Sequence, residues 1–75
     1  MNTEAKLKSM AAWVKSLNSL LSVIREEDYL IVEHEDYGHV TELHPEDFPN
    51  YREIVREAIA EVSGDRELKE ALPWN

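Results

Sequence analysis

With 75 residues, a formal net charge of −8 and no cysteine, the chain has room for a single small core and no covalent staple. Disulfide scaffolds, thiolate zinc sites and cysteine nucleophiles are excluded. No stretch approaches the ~18 apolar residues of a membrane span, and Lys15 interrupts any leader-like apolar run, so a cytoplasmic protein is expected.

At 43% hydrophobic, the chain is apolar enough to fold. The spacing predicts one α+β domain over residues 1–75, ordered α-β-β-α-α, with a two-stranded antiparallel hairpin packed on helices. The first helix is expected over 4–25, capped by Thr3, with Glu4 suiting the positive end of its dipole. Leu7, Met10, Val14, Leu17, Leu21 and Ile24 alternate at spacings of three and four. That stripe serves either a globular core or a homodimer seam through residues 7–24.

Residues 29–35, Tyr-Leu-Ile-Val-Glu-His-Glu, are β-branched and aromatic enough for a strand. Asp36-Tyr37-Gly38 reads as a turn in which Gly38 supplies a positive φ. The return strand is expected over 39–44, ended by Pro45. Leu30, Ile31 and Val32 run without alternation, so the register stays open. A second helix begins within 46–51, capped by Asp47 or by Asn50 in a capping box with Glu53. Phe48, Tyr51, Ile54, Val55, Ala58, Ile59 and Val62 form its apolar face, and Gly64 stops it. Asp65 would cap a short third helix over 66–72 that Pro73 closes, with Leu68, Leu72 and Trp74 returning to the core.

Charge is distributed unevenly. Residues 26–47 hold nine carboxylates and not one Lys or Arg. Glu26, Glu27 and Asp28 precede the hairpin; Glu33, Glu35, Asp36 and Glu42 lie on it; Glu46 and Asp47 follow it. These residues, with Tyr37 at the turn tip, are the candidate partner-binding set. Two readings stand beside each other: a solvated face, or an anionic surface that docks on a basic protein groove. Complementary potentials of this kind steer association. Direct binding to nucleic acid or to anionic membranes is disfavoured, because both carry the same sign of charge.

Catalysis finds little support. No nucleophile elbow, phosphate loop or dinucleotide fingerprint occurs, and the carboxylate pairs lack an obvious cleft. An enzyme is not expected, and no cofactor is implied. His34, His39 and His44 recur every five residues among acids. They read as solvated strand residues; a weaker reading joins His34, His39 and Glu35 on a metal ion.

Small, cysteine-free, strongly acidic chains resemble, as a class, phage-encoded inhibitors of host defence, including anti-CRISPR proteins and DNA mimics. The likeness lies in size and charge, so no residue role is carried over. It implies an inhibitor that occupies a basic, nucleic-acid-binding groove of a partner. The alternative is an oligomerising, adaptor or antitoxin-type module that uses the heptad-patterned first helix.

Overall fold

A computed structural model describes residues 2–64. Helix α1 spans Thr3–Leu17. Asn2, one residue before the expected Thr3, caps it by accepting the Ala5 N–H on Oδ1 at 2.7 Å. Leu7, Met10, Val14 and Leu17 are its buried stripe.

The helix does not continue to residue 25. Asn18 is extended, its Oδ1 accepts the Leu20 N–H at 2.8 Å, and its carbonyl accepts the Leu21 N–H at 3.1 Å. Asn at such a position offers the backbone an alternative to the helical ladder. Ser16 also turns its hydroxyl back onto the Trp13 carbonyl at 2.6 Å, which weakens the last turn. Leu21–Arg25 is instead strand β1. The stripe over 7–24 is therefore not one helical face: Leu7, Met10, Val14 and Leu17 are buried on α1, while Leu21 and Ile24 lie on β1.

Strand β2 is Leu30–His34 and strand β3 is Gly38–Leu43. They form an antiparallel sheet in the order β1-β2-β3, so the expected hairpin has a third strand. The register pairs Leu21 with His34, Val23 with Val32 and Arg25 with Leu30 across β1–β2. Across β2–β3, Leu30 meets Leu43, and Val32 meets Thr41. Beyond that point Glu33 pairs with His39, leaving Val40 as the extra residue of a bulge. The bulge lets Val40 be buried and sends His39 outward. Gly38 has φ +75°, as the turn demanded.

Pro45–Asn50 forms a 3₁₀ helix that leads into α2, Tyr51–Ser63. Its start is fixed by Asp47, whose Oδ2 accepts the His44 N–H at 2.8 Å while its own N–H donates to the His44 carbonyl. Asn50 makes no side-chain cap bond, so the expected box with Glu53 does not form. Gly64, at φ +61°, donates its N–H to the Ala60 carbonyl and ends the helix. The expected helix at 66–72, with Asp65, Leu68, Leu72, Pro73 and Trp74, lies outside the described residues.

Both helices pack on one face of the sheet. Leu21, Leu30, Val32, Val40 and Leu43 meet the α1 stripe together with Tyr51, Val55 and Ile59 of α2. Each large apolar side chain buried this way contributes about 1.5–3 kcal/mol. Trp13 meets Tyr51 edge-on at 5.4 Å, and Phe48 stacks on Tyr51 at 5.6 Å, which ties the 3₁₀ segment to α1. Every helix of the described residues lies on one side of the sheet, and none of them covers its other face.

Candidate functional site

The face opposite the two helices follows from strand alternation. Leu30, Val32 and His34 point into the core, so Tyr29, Ile31, Glu33 and Glu35 belong to the opposite face. The pairing then arranges that face in rows across the three strands. Ile24, Ile31 and Glu42 form one row; Ser22, Glu33 and His39 form the next. Glu35 extends the ladder by donating its N–H to the Leu20 carbonyl at 2.9 Å. At the other end, the Glu26 N–H donates to the Tyr29 carbonyl, and the Tyr29 ring stacks on His44 at 5.0 Å.

Among the described residues, this open face therefore carries Glu26, Glu33, Glu35 and Glu42 and no Lys or Arg. Alternate residues of a strand are ~6.8 Å apart, about the rise of two nucleotides along one nucleic-acid strand. The Glu42 carboxylate lies 3.4 Å from Nε2 of His44. Partial burial, followed by the Glu26, Glu42 and Asp28 carboxylates, raises the Tyr29 hydroxyl above its ordinary value of 10.0. That shift registers acids from the β1–β2 loop and from β3 acting on a single group.

The nine carboxylates do not make one continuous patch. Glu27 and Asp28 are exposed at the β1–β2 loop, and Glu46 is exposed near the same end of the sheet. Asp36 and Tyr37 sit at the β2–β3 turn, a strand length away. Asp47 is partly buried, and one oxygen of its carboxylate accepts the His44 N–H.

Arg25 governs the acidic loop, a role that its type alone did not disclose. Its guanidinium forms a bidentate pair with Glu4 at 3.0 and 3.3 Å. It also donates to the Glu26 carbonyl at 2.6 Å and the Glu27 carbonyl at 3.0 Å. The loop backbone is thus held to β1 and α1 while the Glu27 and Asp28 side chains stay exposed.

His34 differs from the solvated residue expected. It is 5% exposed, and its Nδ1 accepts the Asp36 N–H at 3.0 Å. The Tyr37 ring tilts against it at 4.8 Å. This imidazole holds the β2–β3 turn. His39 and Glu35 lie on the open face while His34 lies inside, so the three do not converge on an ion. Among the described residues no group of three or more His, Cys, Asp or Glu is placed to hold a metal.

One feature of the face was hidden by the helical assignment of residues 18–25. Ile24 is exposed and stands beside Ile31. The β-branched pair Val23-Ile24 following Asn18-Ser19 was the signal that could have revealed it. Among the described residues no helix is long and apolar enough to cross a membrane. No protein family, curated protein or solved structure matches the chain.

Proposed function

We propose that the protein is a small, non-catalytic inhibitor, acting in the cytoplasm, that occupies a basic, nucleic-acid-binding groove of a partner protein. The observation that carries this reading is the open sheet face, which among the described residues holds Glu33 and Glu42 at paired positions, Glu26 and Glu35 at its ends, and no Lys or Arg. Interspersed charges of both signs are enough for solubility, so a one-sign face on a rigid sheet favours a docking role. Its carboxylates, exposed at Glu26, Glu35 and Glu42 and half-buried at Glu33, would act chiefly on the rate of encounter. This is the mode of a DNA mimic or of an anti-CRISPR-like phage inhibitor. Glu27, Asp28 and Glu46 would extend the field beyond one end of the sheet, and Asp36 with Tyr37 beyond the other.

The test is affinity capture from a bacterial lysate with two charge-matched variants. Glu33→Lys/Glu42→Lys and Glu57→Lys/Glu61→Lys each bring the net charge from −8 to −4, the first on the open face and the second on the exposed side of α2. A basic nucleic-acid-binding protein should be retained by the parent and the α2 variant and lost by the face variant. Its retention should fall as salt rises. Equal capture by both variants would refute the assignment to this face.

A further inference from the structure

The carboxylates of the open face are accounted for above, but its apolar row is not. Ile24 is 42% exposed and pairs with Ile31, which in turn pairs with Glu42. Directly opposed side chains have Cβ atoms about 4.5–5.5 Å apart, so the two isoleucines form one continuous aliphatic step. The neighbouring row along the strands, ~6.8 Å away, holds Glu33. A surface that met only point charges would have no use for this step. An apolar centre with a charged rim is the anatomy of a protein–protein contact.

We propose that the open face docks an amphipathic, cationic helix of the partner. It would lie along the strands with an aliphatic residue on Ile24 and Ile31 and Lys or Arg one turn away on the glutamates. This rests on the acidic-inhibitor reading and adds the chemistry of the contact. Charge complementarity selects the occupant, because Glu26, Glu33, Glu35 and Glu42 surround the step and no Lys or Arg of the described residues shares the face. The dimensions agree. Helix residues i and i+4 rise ~6 Å, close to the row spacing, and a helix ~10 Å wide spans the ~10 Å between the outer strands. A second copy of the chain is disfavoured, since each copy carries −8.

The experiment uses the full chain with labelled isoleucine methyls and two synthetic peptides. One is an ~18-residue Leu/Lys/Arg helix with a single apolar face; the other has the same composition scrambled so that no such face exists. The amphipathic peptide should shift the Ile24 and Ile31 methyl signals and bind at least ~10-fold more tightly than the scrambled one. Ile24→Ser/Ile31→Ser should remove that difference and leave binding of the scrambled peptide unchanged, with circular dichroism confirming the fold. Equal binding of both peptides would overturn the helix proposal while sparing the acidic reading. Binding of neither would remove both. Shifts of the Ile24 and Ile31 signals with protein concentration alone would assign the face to a second copy and overturn the proposal.

Discussion

Replacing Leu30 and Ile24 by alanine, one at a time, separates the two faces of the sheet. Leu30 is 1% exposed on the central strand, opposite Leu43, while Ile24 is 42% exposed on β1. Leu30→Ala truncates a fully buried isobutyl side chain to methyl, at about 0.8 kcal/mol for each carbon lost, and leaves a partly unfilled cavity. The expected cost is ~3 kcal/mol, within the 2–5 kcal/mol usual for such changes. A chain of about 75 residues has roughly 4–11 kcal/mol in total, so the loss is a large share of it. The midpoint of thermal unfolding should fall by roughly 12–24 °C. Ile24→Ala removes a side chain already in contact with water and should cost less than ~1 kcal/mol. Thermal and urea unfolding followed by circular dichroism give both numbers. If Ile24→Ala is as costly as Leu30→Ala, the strands are slipped by one residue. Every side chain would then sit on the other face, and the open face would be a different set of residues.

Asp47→Ala should cost about 1 kcal/mol, because the His44 N–H loses its acceptor, whereas Asp47→Asn should recover most of that in chemical denaturation. In an alkaline absorbance titration, one tyrosine that is missing in Tyr29→Phe should ionise above 10, and Glu26→Gln/Glu42→Gln should lower its midpoint. A raised folded value favours the neutral phenol. Its contribution to stability is therefore complete below the ordinary pKa and is lost as pH rises through the folded one, so Tyr29→Phe should be the less alkali-sensitive chain. A double-mutant cycle on Glu4 and Arg25, both substantially exposed, should return less than ~1 kcal/mol and shrink with salt. A coupling well above that would mean the pair is shielded from solvent.

Much of the second half of the fold was legible. The Phe48–Val62 face, Gly64 as a stop and Gly38 at the turn each follow from local chemistry. The first half misleads because Leu17, Leu21 and Ile24 satisfy a helical spacing while Leu21 and Val23 also satisfy the alternation of a strand. The decision fell to Asn18 and Ser19, whose turn chemistry outweighs the stripe once a β2 edge is available to pair with residues 21–25. The burial of His34 and the bulge at Val40 depend on contacts between segments, which no local pattern encodes. For the same reason the acids were visible as a run in the sequence but not as a face. Glu33 and Glu42 share a face only through the strand pairing, and Asp47 is engaged by a backbone N–H that only the folded turn supplies.

Groove occupation is tested most directly by competition. A captured partner is bound to labelled nucleic acid, and the protein is titrated in while the complex is followed by anisotropy and mass. Mutual exclusion is expected, with nucleic acid released in proportion to the protein bound and no release by Glu33→Lys/Glu42→Lys. A stable ternary complex of partner, nucleic acid and protein would contradict it.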